Sequence, residues 1–255
     1  MVWFDLHTHH QFSGFNVLEA LRSSGCIGVL NLAYIPVRPS SPDTFNDVFK
    51  WLCKAEAERF MRVGLKAYSG VGIHPRYIPR RKLEEAIKIV EEYLSTNNAL
   101  ALGEVGVEEC STLEFDVLHE QLKIASRLDK PAIIHTPRNL KLQATSKILS
   151  IAKKSGVNPE LTVIDHASRE TVEIIVSEGF KAGLTVQEGE LSVKDVIDII
   201  DRYGCENMIL NSNAGREPSN PLAVFEVVNI LRGKDLVREA LKISYENPIK
   251  TLKLR

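Results

Sequence analysis

Two histidines near the start of the chain have the spacing of a shared metal site. His7 and His9 follow the apolar residues Trp3, Phe4 and Leu6. Side chains two positions apart on a strand project from the same face, so the two imidazoles would lie side by side at the strand end. Neutral imidazole nitrogens are good ligands for zinc and similar cations. By itself the pair is equally consistent with two surface histidines, and its meaning depends on whether other ligands reach it.

Further candidate ligands each end another apolar run of the sequence, namely Glu104, His135 and His166. We interpret His7 and His9 as ligands of one divalent cation, and His135 and His166 as ligands of a second. Glu104 would then bridge the two cations with its carboxylate oxygens. A cation pair about 3.5–4 Å apart polarises a phosphoryl or carbonyl oxygen and generates a hydroxide nucleophile, so the pattern predicts a two-metal hydrolase. The ligand types do not distinguish zinc from manganese or magnesium.

The candidate ligands are positioned by an alternation of strands and helices along the whole chain. Short apolar runs predict strands at residues 2–7, 27–34, 68–73, 100–102, 131–134, 161–164, 180–185 and 208–210. Amphipathic segments predict helices between them, at residues 16–24, 43–63, 81–93, 113–128, 140–154, 168–178 and 192–203. Ser168 is expected to cap the sixth of these helices, and helices from Pro221 onward end the chain.

The predicted fold is a single α/β domain over residues 1–255, a closed (β/α)8 barrel of the TIM type with C-terminal helices. No composition break divides the chain, and strands that are apolar throughout are covered on both faces. No glycine-rich phosphate fingerprint follows any strand, which disfavours an open dinucleotide-binding sheet. The candidate ligands end several different strands, and in a barrel those ends surround one mouth.

The composition is that of an ordinary globular protein, with 44% hydrophobic and 25% charged residues among 255. The formal net charge of -1 gives no overall attraction to nucleic acid, so a polyanion would have to be bound locally. We expect neither a signal peptide nor a membrane-spanning segment, because a strand begins directly after Met1 and no apolar run is long enough. The four cysteines include no C-x-x-C pair, which favours a reducing, cytoplasmic environment.

Six motifs together resemble one known family. In chain order they are D-L-H-T-H, G-I-H-P, G-E-V-G, I-I-H-T-P-R, the D-H after the sixth strand, and N-S-x-A followed by P-L-A-V. The ordered set is similar, over almost the whole chain, to an archaeal branch of the TatD-type metal-dependent hydrolases in the amidohydrolase superfamily. The resemblance implies a (β/α)8 barrel, often somewhat irregular, and metal-dependent deoxyribonuclease activity. It also implies a substrate-side role for His74, and metal ligation by His7, His9, Glu104, His135 and His166.

Asn213 departs from the pattern of that family. The resemblance implies an aspartate after the eighth strand, acting as metal ligand and proton acceptor, and Asn213 occupies the matching position. An amide oxygen coordinates a cation but brings no negative charge and cannot accept a proton from the attacking water. We therefore assign Glu104 and Asn213 to the catalytic centre and expect reduced turnover. The acids that could partly substitute are Asp165, Glu188 and Glu217.

Basic residues follow several strands and give local support to a phosphate-containing substrate. Arg138, three residues past His135, is the strongest candidate for a phosphate contact. Arg80, Arg81 and Lys82 are more simply explained as solvating a helix start. The other basic residues near the mouth are Arg76, Lys141 and Arg216, and the aromatic residues that either stack on a base or pack at the rim are Phe12, Phe15 and Tyr77.

The function favoured by these observations is a two-metal phosphodiesterase or deoxyribonuclease that acts on DNA or another phosphodiester. One alternative is hydrolysis of an amide or a lactone by the same site, because the superfamily reuses these ligands. The other alternative is a metal-binding barrel whose turnover is impaired by Asn213. The sequence leaves the oligomeric state open.

Overall fold

The computed structural model describes residues 2–96, 98–215 and 219–254. Within these residues, eight parallel strands form one sheet and are hydrogen-bonded in sequence order. The strands are β1 Trp3–Thr8, β2 Cys26–Leu32, β3 Lys66–Val71, β4 Ala101–Gly106, β5 Ala132–His135, β6 Thr162–Ile164, β7 Lys181–Thr185 and β8 Met208–Asn211. The predicted α/β barrel of the TIM type is therefore confirmed.

The barrel closes where the segment after β8 meets the end of β1. Thr8 and Ala214 form a parallel bridge, and the His9 amide donates to the Ala214 carbonyl at 2.7 Å. One step earlier, the Asn213 amide donates to the His7 carbonyl at 3.0 Å. These bonds hold the backbone of Asn213 beside His7 and His9, although more than 200 residues of sequence separate them.

Helices alternate with the strands and cover the outside of the sheet. They are α1 Phe15–Ser23, α2 Asp43–Lys50, α3 Ala57–Met61, α4 Leu83–Ser95, α5 Thr112–Arg127, α6 Lys141–Ser155, α7 Val172–Ser177, α8 Val193–Tyr203, α9 Ala223–Gly233, α10 Val237–Leu241 and α11 Asn247–Thr251. The long helix predicted to reach residue 63 is divided, because the π-helical segment Trp51–Glu56 joins α2 to α3.

Two predicted boundaries differ from the structure near the site. The fourth strand was expected to end before Glu104, whereas β4 runs through it to Gly106. Ser168 was expected to cap the helix after β6, but that prediction is wrong. Ser168 and Thr171 close a turn in which the Ser168 carbonyl accepts from the Thr171 amide at 3.0 Å, and α7 begins only at Val172.

The interior of the barrel is apolar along most of its length and becomes polar at the carboxyl ends of the strands. The buried interior cluster consists of Phe4, Leu6, Leu30, Leu32, Ala101, Ile133, Val163, Ile209 and Leu252. Residues two positions apart on a strand share a face. His135 therefore faces inward like Ile133, and Asp165 faces inward like Val163. A polar layer therefore lies on top of the apolar interior, at the mouth of the barrel.

Candidate metal centre

The carboxylate of Glu104 lies at the centre of this polar layer. Its Oε2 atom is 3.5 Å from Nε2 of His7 and 3.5 Å from Nε2 of His9, and the two nitrogens are 3.3 Å apart. Ligand atoms about 2.0–2.1 Å from a tetrahedral zinc ion lie about 3.3–3.4 Å from one another. The three atoms thus have the mutual spacing of ligands around one cation.

Hydrogen bonds behind these two histidines hold one proton on Nδ1 of each ring. Nδ1 of His9 donates to the Leu32 carbonyl at 3.1 Å, and Nδ1 of His7 donates to a carboxylate oxygen of Asp165. A neutral imidazole with its proton on Nδ1 carries its lone pair on Nε2. The nitrogen that faces Glu104 is therefore the one able to bind a cation in both residues.

Asp165 is a fully buried carboxylate that supports two of the candidate ligands. One oxygen accepts the proton of His7, and the other accepts from Asn211 Nδ2 at 2.8 Å and from the Thr185 hydroxyl at 3.4 Å. The same Thr185 hydroxyl lies 3.0 Å from Nδ1 of His166 and, by donating to Asp165, is left to accept from that ring. Nε2 of His166 therefore carries the lone pair, as it does in His7 and His9.

Gly183 on β7 makes room for this carboxylate inside the barrel. A Cβ atom at position 183 would lie 1.9 Å from Oδ1 of Asp165, far inside van der Waals contact. Any larger residue at position 183 would have to displace Asp165. The centre therefore requires glycine at this position of β7.

The second carboxylate oxygen of Glu104 faces a different pair of histidines. Its Oε1 atom is 2.8 Å from Nδ1 of His135 and 3.5 Å from Nε2 of His166. On its other side, Nε2 of His135 lies 2.8 Å from Glu108. Glu104 therefore has one oxygen directed at each half of the centre, as a shared ligand requires.

Burial and neighbouring charges act in opposite directions on the pKa values of the groups around Glu104. Burial lowers the pKa of His7, but the carboxylates of Glu104 and Asp165 raise it overall to about 10. Burial likewise opposes the protonation of His135, yet Glu104 and Glu108 raise its pKa to about 9. Although burial raises the pKa of Glu104, the charges of neighbouring histidines hold it well below its usual range. Both protonated rings sit where a cation would bind.

His74 has the opposite hydrogen-bond polarity from the candidate ligands. Its Nδ1 accepts from the Arg76 amide at 3.1 Å, so the ring proton is on Nε2, which lies 3.6 Å from Glu104. Burial lowers the pKa of His74 to about 3, and the ring is neutral near pH 7. With a proton on the nitrogen that faces the pocket, His74 is arranged to donate a hydrogen bond rather than to bind a cation.

The donor set fits divalent cations. The structure brings His7, His9, Glu104, His135 and His166 together, and all are buried or nearly so. Groups of three donor atoms that could each hold an ion are His7 with His9 and Glu104, His7 with Asp165 and His166, and His74 with Glu104 and His135. Imidazole ligands suit zinc and carboxylate ligands suit manganese, so this mixed set does not distinguish the two metals.

Asn213 lines the same pocket as the candidate ligands, with its backbone at a φ of 49°. The acids expected to compensate for it are not equivalent. Asp165 is turned toward His7 behind the ligands and is not among the residues that line the pocket. Glu188 is exposed and does not line the pocket either, and Glu217 lies outside the described residues, as does the basic residue Arg216.

Several pocket residues were not identified from the sequence, namely Tyr34, Glu108, Gln187 and Glu190. Glu108 is the most informative, because it binds His135 with one oxygen and Arg76 Nη2 at 2.7 Å with the other. Burial raises its pKa, but these two partners lower it to about 2. Its position four residues after Glu104, beyond the same strand, was the only available signal.

Basic residues at the mouth pair with carboxylates in two places, beside the pocket and at the start of α4. Arg138 lies 3.1 Å from Glu190, and Lys141 lies 3.5 Å from the same carboxylate; Arg76 is paired with Glu108. Lys82 pairs with Glu85 at 3.1 Å on the exposed start of α4. The aromatic candidates differ as well, since Phe12 and Phe15 are 39% and 44% exposed, whereas Tyr77 contacts the Tyr34 hydroxyl.

The sequence model of the family described as TatD related DNase matches residues 4–213. The chain belongs to the TatD family. This confirms the resemblance seen in its motifs, and the chain is a metal-dependent hydrolase of that family. None of the helices in the described part of the chain combines the length and apolar character that a membrane span requires.

Two archaeal proteins are similar to this chain over most of its length. An uncharacterized metal-dependent hydrolase of Methanocaldococcus jannaschii is 34% identical over 212 residues, which is 83% of each chain. The crystal structure of a TatD-like protein from Archaeoglobus fulgidus is 35% identical, superposes with a TM-score of 0.81, and covers 99% of this chain and 100% of its own. A phosphotriesterase homology protein from Escherichia coli, 14% identical with a TM-score of 0.73 over 99% of this chain and 98% of its own, shares the fold.

Proposed function

We propose that this TatD-family protein is a two-metal phosphodiesterase that cleaves DNA. The observation that carries the proposal is the division of Glu104 between two sets of histidines. Oε2 faces His7 and His9, and Oε1 faces His135 and His166. One carboxylate with an oxygen on each side is the arrangement expected of a bridging ligand.

The residues around Glu104 would hold the cations. His7 and His9 would bind one cation and His135 and His166 the other, with Glu104 shared and the amide oxygen of Asn213 available to the first. When bound, such a pair supplies Lewis acidity toward a phosphoryl oxygen and a nucleophile at neutral pH. Asp165 holds the His7 proton on Nδ1, and Glu108 holds the His135 proton on Nε2.

Substrate contacts would come from donors on the pocket wall. His74 presents Nε2–H toward the centre and would donate to a non-bridging phosphate oxygen. Arg138 lines the pocket at its rim, and a guanidinium fork matches the oxygens of a phosphate group. Nε of Arg138 donates to Glu190 at 3.1 Å, so a phosphate would share this guanidinium with an internal carboxylate.

The pairing of the pocket arginines with carboxylates also favours a second candidate, hydrolysis of a neutral amide or lactone. Arg76 is offset by Glu108 and Arg138 by Glu190, so the pocket itself carries little free positive charge. Asn213 adds a third possibility, a centre that binds cations and turns over slowly. The three proposals differ in substrate charge and in rate, which one set of assays separates.

The test combines elemental analysis of the purified protein with a metal-titrated assay on single-stranded DNA, bis(p-nitrophenyl) phosphate, a lactone and an amide. We expect about two cations per chain and cleavage of the two phosphodiesters. Glu104→Gln should lose both cations and all hydrolysis, whereas Glu188→Gln, an exposed acid on a mouth loop, should keep both. Full metal content in Glu104→Gln would exclude a bridge. Hydrolysis of only the lactone or amide would replace the nuclease proposal with the second candidate.

A further inference from the structure

A buried ion pair joins the helices after β2 to the loop between β1 and α1. Glu56 is 4% exposed, and its carboxylate accepts from Trp51 Nε1 at 3.0 Å and from Arg59 Nε at 2.8 Å. The Arg59 guanidinium also donates to the Ser13 carbonyl at 2.9 Å through Nη1 and to the His10 carbonyl at 2.6 Å through Nη2. One side chain on α3 therefore holds two carbonyls of that loop.

The π-helical segment Trp51–Glu56 brings the two ends of this network onto one face of the helix. In an α-helix, residues five positions apart point about 140° away from each other, because each residue turns the chain by about 100°. A π-helix has i→i+5 hydrogen bonds, so Trp51 lies one turn before Glu56 and reaches its carboxylate. Such turns are rare and occur frequently at functional sites. The irregular helix therefore supplies the tryptophan partner of a buried acid.

The turn that Arg59 holds begins directly after a candidate ligand. β1 ends one residue before His9, and the 3-10 turn His10–Phe12 follows His9 without a break. The Phe12 amide donates to the His9 carbonyl at 3.1 Å, so the turn and the ligand share a hydrogen bond. A displacement of the turn would therefore move the backbone of His9.

Aromatic rings make a second connection between the π-helical segment and His9. The Trp51 ring packs edge-on against Phe12, with ring centroids 5.9 Å apart. Phe12 contacts Tyr34 with centroids 6.1 Å apart, and Tyr34 contacts the His9 ring with centroids 5.4 Å apart. Trp51 and Arg59 therefore act on the same turn from adjoining helical segments, one through a ring and the other through carbonyls.

Neutral hydrogen bonds hold the inner side of the same loop. Nδ1 of His9 and Nε2 of Gln11 both donate to the Leu32 carbonyl at 3.1 Å, and the His9 amide donates to Ala214 at 2.7 Å. Hydrogen bonds from an ionised donor are stronger than such neutral ones. The rigid fork of Arg59 also fixes two carbonyls relative to each other. Arg59 is therefore the contact whose loss should loosen the turn most.

We infer that Arg59 is a positioning residue of the first cation site, the one formed by His7 and His9. It acts through the backbone of the turn that follows His9. The candidate ligands of the second site, His135 and His166, lie at the end of β5 and after β6, so the effect of Arg59 should fall on one cation. The inference rests on the assignment of His7 and His9 to one cation, which belongs to the proposed function.

The experiment is a calorimetric titration of the metal-free full chain with zinc, accompanied by thermal unfolding in EDTA for every variant. His9→Ala removes a ligand and so identifies the binding event of the first site. Arg59→Met keeps the apolar stem and loses all hydrogen bonds of the guanidinium. Arg59→Lys restores a positive charge beside the Glu56 carboxylate, but an ammonium group is a point charge and cannot replace a fork that reaches two carbonyls.

The control variant is Lys181→Met, which removes a different buried cation. Lys181 is 3% exposed and pairs with Glu160 at 3.0 Å. It begins β7 and therefore lies at the end of the barrel opposite the mouth. The control should destabilise the fold without disturbing the turn after His9.

We expect Arg59→Met to bind the first cation about tenfold more weakly, the lower end of the loss caused by removing a group behind the metal ligands. Its affinity for the second cation should equal that of the wild type. Its unfolding temperature should also fall, because Glu56 is left buried without its counter-charge. Arg59→Lys should regain much of the unfolding temperature but not the affinity. Lys181→Met should unfold at a lower temperature and bind both cations with wild-type affinity.

The inference is wrong if cation affinity simply follows stability, so that Arg59→Lys regains both together or Lys181→Met loses both. It is also wrong if Arg59→Met keeps the wild-type affinity for the cation that His9→Ala loses, and the two-metal proposal then stands. A His9→Ala variant that binds cations like the wild type would remove both proposals. If Arg59→Met weakens the first cation but the wild type cleaves no phosphodiester, the role of Arg59 is upheld and the phosphodiesterase proposal falls.

Discussion

Replacing Asp165 with asparagine should weaken the first cation site without removing any ligand. Asp165 is fully buried, and its carboxylate is the acceptor that holds the His7 proton on Nδ1. In Asp165→Asn the new amide group has a donor and an acceptor. Asn211 Nδ2, 2.8 Å from the other oxygen, is itself a donor and will attract the amide oxygen. The NH2 group would then face His7, which must put its proton on Nε2 and cannot bind a cation there.

The size of the effect follows from this change of tautomer. Removing a hydrogen-bonded partner behind a metal-bound histidine typically costs about 10–100-fold in metal affinity, which corresponds to about 1.4–2.8 kcal/mol. The loss should fall mainly on the cation held by His7 and His9. The cation held by His135 and His166 should be affected less, because Thr185 still accepts the Nδ1 proton of His166.

Isothermal titration calorimetry with zinc or manganese, in parallel with thermal unfolding in EDTA, separates this loss from a folding defect. The matched variant is Asp165→Asn/Asn211→Asp, in which a carboxylate at position 211 accepts from the amide and turns its oxygen back toward His7. That double variant should recover part of the first-site affinity. If Asp165→Asn binds both cations as tightly as the wild type, Asp165 does not set the proton position of His7. If both sites weaken equally and the double variant recovers nothing, the role of Asp165 is only structural.

Asn213→Asp should increase occupancy of the first cation site and the hydrolysis rate, since a proton acceptor is typically worth about 10²–10⁴-fold; equal metal titrations and equal turnover would mean that position 213 does not act on the cations. Arg138→Ala should raise KM for a phosphodiester about tenfold (1.4 kcal/mol) and leave metal content unchanged, whereas Glu190→Gln should lower KM by freeing the same guanidinium. Identical KM values would exclude Arg138 as a phosphate contact. Loading the metal-free protein near pH 7.5 should release about two protons, because the pKa values of His7 and His135 are raised to about 10 and 9 and ligand nitrogens must be unprotonated. Cation affinity should therefore increase with pH through this range, and calorimetry in buffers of different ionisation enthalpy would detect the protons.

The sequence by itself determined the fold and the candidate ligands that meet at the barrel mouth. Apolar runs of strand length, repeated with helices between them, specify parallel strands covered on both faces. His135 and His166 are recognisable because each stands directly at or after such a run. The carboxyl ends of all barrel strands share one mouth, so their proximity follows from topology alone. Even Glu104, which lies inside β4 rather than after it, was identified by this reasoning.

Only the tertiary structure decided which groups touch and which proton each one carries. Asp165 was a candidate replacement for the missing acid, but it faces His7 because it continues the inward face of β6 after Val163. Glu108, which was not identified from the sequence, joins His135 to Arg76. Arg138, in contrast, is already paired with Glu190. Each outcome depends on contacts between loops that are distant in sequence, and the energy of a charge is set by those contacts and by burial, which no local pattern encodes.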